Sequence, residues 1–165
     1  MLEPVAPPDT LVEAVGRLLV ATLAGGIIGA ERELRAKPAG VRTHALVALG
    51  AALVVIAGSL LGSAESERAA SVSRVVQGLI AGIGFLGAGS ILQRGEGASL
   101  VHGLTTAASL WIVAVIGIGA GLGLWQLILA ATLIVLLVLL AERPISRLLG
   151  TADETNERVV RPDGK

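Results

Sequence analysis

The chain is predicted to be all-α, a polytopic membrane bundle of about five transmembrane helices. Three observations predict it. Hydrophobic residues fill 53% of the 165 positions and charged residues only 16%, with a mean hydropathy of +0.80; a soluble domain carries about 25% charge. The apolar residues fall into runs close to the ~20 that a helix needs to cross a bilayer. A soluble fold built from such runs would expose apolar patches larger than monomers tolerate.

Residues 1–10, MLEPVAPPDT, hold no basic residue and no short apolar core before a cleavage site, so they do not read as a signal peptide. They are expected to be an extracytoplasmic segment ahead of a transmembrane domain over residues 11–143. The first apolar run covers roughly Leu11 to Ala30, with Glu13 and Arg17 four apart in its outer turns, where they share a face and can pair. The second runs from Thr43 to Gly62, the third from Val72 to Leu92, the fourth from Leu104 to Ile118 and the fifth from Leu122 to Ala141. LILAATLIVLLVLLA makes the fifth the clearest, and the uncharged GIGAGLG before it reads as a tight connection between antiparallel spans. Residues 144–165 form a charged tail, too polar to build a core and expected to be a disordered cytoplasmic extension with no soluble domain after it.

Lysine and arginine placement sets the expected orientation. With the N-terminus outside, the inner side holds Arg32, Arg35, Lys37, Arg42, Arg94, Arg143, Arg147, Arg158, Arg161 and Lys165, and the outer side only Arg68 and Arg74. This bias predicts N-out, C-in.

Helices in lipid adhere by close backbone packing, which small residues permit. Gly25 and Gly29 make a GxxxG pair in the first helix, as do Gly78 and Gly82 in the third, where Gly89 shares their face and Gly84 and Gly87 lie opposite. Two small-residue faces place the third helix at the centre of the bundle. GGIIGA (25–30) resembles IGFLGA (83–88), and GVRTHAL (40–46) resembles GLTTAAS (103–109), which suggests a weak parallel internal repeat.

The topology pools polar residues at the cytoplasmic ends of the first four helices: Glu31, Arg32, Glu33, Arg42, Thr43, His44, Ser90, His102, Thr105 and Thr106. Charges near hydrocarbon face a bundle interior, a water cavity or one another, so the expectation is a polar pocket of Glu31, Arg32, Arg42, Thr43, Ser90, Thr105 and Thr106 open to the cytoplasm. Glu31 and Glu33 have a plainer reading, as partners of Arg42, Arg35 or Lys37 that fix the loop. Thr105 and Thr106 open a helix whose N-terminus favours anions and could hold Glu31.

For a metal, Glu31 is the best candidate, with Glu33 and Glu96 the other acids near enough to supply the oxygen ligands Mg²⁺ prefers. His44 and His102 have no diagnostic spacing and read as surface or interface histidines. The absence of cysteine excludes disulfides, thiolate metal sites and cysteine nucleophiles. Gly82-Ile83-Gly84-Phe85-Leu86-Gly87 spells GxGxxG but lies inside a span, with alanine at position 107 where a dinucleotide site needs an acid. No P-loop is present either. Thirteen basic residues balance thirteen acidic ones, so neither nucleotide nor nucleic acid is an expected partner. No nucleophile–base constellation is visible, and no enzyme activity or resident cofactor is expected.

GAERELRAKPAGVRTHALVALGAALVV (29–55), GIGFLGAGSIL (82–92) and GLTTAASLWIVAVIGIGAGLG (103–123) resemble, in order and spacing, the signature blocks of the MgtC/SapB family. The resemblance covers roughly residues 15–140. It implies a bacterial inner-membrane protein of about five spans, linked to growth in low magnesium and to survival inside host cells, a virulence-related role. It further implies action on other membrane machinery rather than magnesium carriage. The patterned positions carry over to Glu31, Arg32, Gly40, Arg42, Thr43, Gly84, Phe85, Gly87, Gly89, Ser90, Gly103, Thr105, Thr106 and Trp111. Some members hold asparagine where this chain has Thr105, and many carry a cytosolic C-terminal domain beyond the resemblance. Two functions follow as expectations. One is a regulator or adaptor of membrane ion homeostasis, working in the bilayer through other membrane proteins or self-association. The other is a transporter or channel for a divalent cation such as Mg²⁺.

Overall fold

A computed structural model of the chain describes residues 7–93 and 101–141. It contains α1 (Leu11–Leu34), α2 (Val41–Ser59), α3 (Glu65–Ser90), β1 (Leu92–Gln93), β2 (Val101–His102), α4 (Leu104–Gly121) and α5 (Trp125–Leu140). Four helices are long and apolar enough to cross a membrane, and α5, at 16 residues, is a shorter apolar helix. The expected helical bundle is therefore what forms. The 144–165 tail, residues 1–6 and the Arg94 and Glu96 positions lie outside the described residues.

Boundaries differ from the apolar runs where capping or pairing extends a helix. α1 starts where Thr10 Oγ1 accepts the Glu13 N–H at 3.1 Å and the Glu13 carboxylate accepts the Asp9 N–H at 3.0 Å, a reciprocal cap. It continues through GAERE to Leu34, so the block expected to leave the helix is its last turn. At about 1.5 Å per residue the 24 residues of α1 span ~36 Å. α3 starts seven residues before Val72 because the Glu67 carboxylate accepts the Ser63 and Ala64 N–H groups at 2.9 and 3.3 Å. α4 runs through the glycine string to Gly121, leaving Leu122–Leu124 as the tight turn. Between α3 and α4 a two-residue antiparallel ladder pairs Leu92 with His102 and Gln93 with Val101.

The centre of the bundle is α4, not α3. In the most apolar stretch of each, 61% of α4 is buried against 11% of α3. The reason lies in which glycines meet a backbone. A Cβ on Gly25 would sit 2.6 Å from the His44 carbonyl oxygen, and one on Gly29 2.7 Å from that of Gly40. Gly117 and Gly121 of α4 close in the same way on the carbonyls of Ala48 and Ala52. These four glycines let α1, α2 and α4 pack at backbone contact around Ala21, Ala24, Ile28, Ala48, Ala52, Val113, Ile116 and Ala120. In α3, Gly78, Gly82, Gly84 and Gly89 meet nothing within 4 Å, and Gly87 meets only the Ala107 Cβ at 3.7 Å. Their small faces are open within this chain, and α3 leans on α2 and α4 through Val72, Val75, Val76, Leu79 and Ile83.

The outside of the bundle is apolar. Leu23, Ile27, Leu46, Leu53, Phe85, Leu129, Ile134 and Leu137 are all more than half exposed, which in a membrane is the surface that meets lipid. The far end is tied by Arg17, whose Nη2 bonds Glu13 Oε1 at 2.6 Å and whose Nη1 donates to the Gly121 carbonyl at 2.8 Å. The expected Glu13–Arg17 pair thus forms, and it also locks α1 to the end of α4.

Candidate polar site at the Arg32 end

The end of α1, the start of α2, the end of α3 and the start of α4 come together at one end of the bundle. Gly40 opens α2 against Gly29, and Glu33 holds that corner by accepting the Val41 N–H at 2.9 Å. Gly103 opens α4 at φ 96°, and a Cβ there would strike the Ser90 carbonyl. Only glycine fits such a left-handed position against a backbone. The Ser90 hydroxyl turns back to the Gly87 carbonyl at 2.7 Å and takes no part in the neighbouring helices.

Within this end, the structure brings together some of the expected residues and separates others. Glu31 and Arg32 are buried, Arg32 completely. The Glu31 carboxylate forms ion pairs with Arg35 and, at 3.6 Å, with Arg32 Nη1. Thr106 is buried and its carbonyl accepts the Ser109 hydroxyl at 2.8 Å. Arg42, Thr43 and Thr105 are exposed and join no internal cluster. Of the expected pocket residues, Glu31, Arg32 and Thr106 are therefore buried in a polar knot, whereas Arg42, Thr43 and Thr105 lie on exposed surface at the same end. Glu31 accepts no hydrogen bond from the α4 threonines; its partners are guanidinium groups.

Two residues of the knot were not among the expected pocket residues. His44, expected at a surface or interface, is fully buried; its Nδ1 lies 2.9 Å from the Gly40 carbonyl and its Nε2 3.0 Å from Ser109 Oγ, joining α2 to α4. Ser109 was not singled out at all. The signal for both was helical phase. His44, Ala48, Ala51, Ala52 and Val55 form one small-residue stripe, and Arg32 continues the Ala21–Gly25–Ile28 stripe of α1. Arg42 and Thr43 fall off that stripe.

Arg32 is the costly member. All three guanidinium nitrogens are buried and none has a hydrogen-bond partner among the described residues, although desolvating such a cation costs several kcal/mol. Glu31 is a poor metal ligand as it stands, because two guanidinium groups occupy its carboxylate. Among the described residues no three His, Asp or Glu side chains gather for a cation, and Mg²⁺ needs several oxygens in octahedral array. The described donors do not assemble such an array, and Glu96 lies outside the described residues.

The other end and the middle are different. Of the buried polar side chains, all but Thr132 lie within two turns of a helix end, and the interior between Arg17 and Arg32 is alanine, valine and isoleucine. A lateral hollow lies among the described residues: an apolar groove of about 610 Å³ between α2, α3 and α4, lined by Gly50, Val54, Gly78, Gly82, Ile83 and Leu86 among others.

Apolar helices with polar groups confined to their ends, an apolar exterior and glycine-mediated packing define a multi-pass helical membrane protein. The chain belongs to the MgtC family, whose model matches residues 18–148. It is 47% identical over 139 residues to Protein SrpB of Synechococcus elongatus, covering 80% of this chain and 76% of that one. It is 41% identical over 131 residues to the Putative magnesium transporter YhiD of Escherichia coli K12, covering 77% and 59%. It is 47% identical over 119 residues to Protein MgtC of Salmonella typhimurium, covering 72% and 48%. The matched part thus spans about half to three-fifths of the last two relatives. No solved structure matches.

Proposed function

We infer that the protein is a regulator of membrane ion homeostasis under magnesium limitation, an adaptor in the bacterial inner membrane that docks a transmembrane helix of another membrane protein. The positive-inside bias supports an N-out, C-in orientation, which puts the Arg32 knot at the cytoplasmic face. One observation carries the reading: the lateral groove is lined on both walls by glycine. Gly78 and Gly82 on α3 and Gly50 on α2 have nothing within 4 Å. Each glycine costs about 1 kcal/mol of helix propensity against alanine, and lipid tails gain nothing from its small size. A helix backbone does, because close approach is what drives association in lipid. This part of the reading needs no enzyme activity, cofactor, nucleotide or nucleic acid.

Transport of a divalent cation is the second reading, favoured by the name of the E. coli relative. It needs a polar route, and the apolar interior between the two ends argues against one. The test combines both. A photo-crosslinking residue at Leu86 is expected to give a discrete protein adduct in native membranes, and one at Leu129 on α5 to label lipid. Gly82→Leu is expected to abolish both the Leu86 adduct and growth in low magnesium. Labelling of lipid alone from both positions, or Mg²⁺ flux in liposomes of the purified chain that Glu31→Ala removes, refutes the adaptor.

A further inference from the structure

At the His44 corner of the knot one hydroxyl proton faces two acceptors. A carbonyl oxygen only accepts, so the 2.9 Å contact between His44 Nδ1 and the Gly40 carbonyl requires a proton on Nδ1. The Ser109 hydroxyl has one proton and two claimants: His44 Nε2 at 3.0 Å and the Thr106 carbonyl at 2.8 Å. With a neutral ring, Ser109 donates to Nε2 and leaves Thr106. With one more proton, taken from water by the lone pair of Nε2, the ring donates to Ser109 Oγ and the hydroxyl turns to Thr106. Both ring N–H groups and the Ser109 hydroxyl then have an acceptor, and no heavy atom has moved.

We propose that His44 is a proton-binding site of this protein, reversibly charged within the native bundle through the Gly40–His44–Ser109–Thr106 chain. Histidine is the side chain whose ordinary titration falls between about pH 5 and 8. Among the described residues the groups facing it are few. On α1 the charged group acting on the ring is Arg32, itself beside Glu31, which Arg35 also holds. On α4 the facing groups are Ser109 and Thr106, both uncharged. The inner end of α3, Phe85–Ser90, carries no charge, and on α2 itself Arg42 is exposed. A proton on His44 therefore adds a second positive charge beside the unsatisfied Arg32 guanidinium. It does so where α1 and α2 are in backbone contact, with Gly25 under the His44 carbonyl. The packing of the α1–α2–α4 core becomes sensitive to proton concentration. This site is separate from the lateral groove, and the failure of either leaves the other standing.

The test is nitrogen NMR of the full chain with ¹⁵N-histidine in lipid nanodiscs, on a His102→Gln background that leaves one histidine. At high pH the expected state is a neutral ring protonated on Nδ1. On acidification Nε2 gains a proton in one reversible step while helical content stays native. Ser109→Ala removes the Nε2 partner and is expected to shift the midpoint by about two- to tenfold in proton concentration, the worth of one hydrogen bond. Ser109→Thr keeps the hydroxyl and is expected to titrate as the parent does. A neutral ring protonated on Nε2 overturns the proposal, as does a ring that changes only when the protein unfolds. A Ser109→Ala protein titrating at the parent midpoint overturns it too. The parent titration decides the matter even if Ser109→Ala does not fold.

Discussion

Substituting alanine for Gly25 and, separately, for Gly82 separates glycines that hold the bundle together from those that leave it open. On Gly25 the added Cβ lands 2.6 Å from the His44 carbonyl oxygen and 2.9 Å from the Ala48 Cβ. The first neighbour is backbone and cannot swing aside, so α1 and α2 must separate by several tenths of an ångström along their tightest seam. Inserting a methyl into a packed core costs about 1–3 kcal/mol. The propensity gain of at most ~1 kcal/mol offsets little of this, since α1 stays largely helical in a membrane mimetic. Gly25→Ala is thus expected to lose about 1–2 kcal/mol, roughly a tenfold fall in the folded-to-unfolded ratio. On Gly82 the Cβ meets nothing, and the propensity term stands alone, for a change between zero and about +1 kcal/mol. Reversible unfolding in mixed micelles, followed by tryptophan fluorescence from Trp111 and Trp125, measures both. Parent-like stability for Gly25→Ala, or destabilisation by Gly82→Ala, refutes the assignment of α1, α2 and α4 as the core and of α3 as its outer member.

Other outcomes follow from the same geometry. Arg32→Met removes a buried cation with no hydrogen-bond partner while Arg35 still holds Glu31; it is expected to leave stability unchanged or raise it by about 1–3 kcal/mol, measured by the same unfolding assay. Arg17→Met deletes the charged hydrogen bond to the Gly121 carbonyl, 2.8 Å long and buried, and is expected to cost about 1.5–3 kcal/mol. Glu13→Gln keeps that bond and is expected to leave stability much closer to the parent than Arg17→Met does, since the pair it weakens is partly exposed. Gly103→Ala meets both a positive φ and the Ser90 carbonyl, and is expected to cost more than ~1 kcal/mol. A Gly103→Ala protein as stable as the parent contradicts the α3–α4 corner described above.

Much of the fold was legible because lipid-spanning helices announce themselves by length and composition. The helices' number and order, the Glu13–Arg17 pair and the tight turn before α5 all came from that signal. The arrangement of α3 was not legible, for a physical reason. A GxxxG pair says that a helix can be approached closely, but not whether the neighbour belongs to the same chain. Gly25 and Gly29 meet α2, whereas Gly78 and Gly82 carry the same spacing and meet nothing. Gly117 and Gly121, read as part of a turn, carry that spacing too and sit on the α2 backbone.

The site was half legible, and the missing half shows what kind of site it is. Placing polar residues at one end of the bundle was enough to find Glu31, Arg32 and Thr106, because topology alone brings helix ends together. It could not tell buried from exposed, and so counted Arg42, Thr43 and Thr105, which are exposed, with the pocket, left His44 out of it as a surface or interface histidine, and did not single out Ser109. Phase against the alanine stripes makes that distinction: His44 stands one turn before Ala48, and Arg32 one turn after Ile28. Positions on those stripes are where an apolar side chain would stabilise the bundle most. A guanidinium with no hydrogen-bond partner and an imidazole sharing one serine proton occupy them instead. Two such groups at adjoining positions of the core cost stability that packing at Gly25, Gly29, Gly117 and Gly121 must offset. A cost of that kind is what a role beyond packing would account for. If Arg32→Met proves more stable than the parent and at the same time fails to support growth in low magnesium, that trade is demonstrated; if it is more stable and fully active, the buried charge has no role in function.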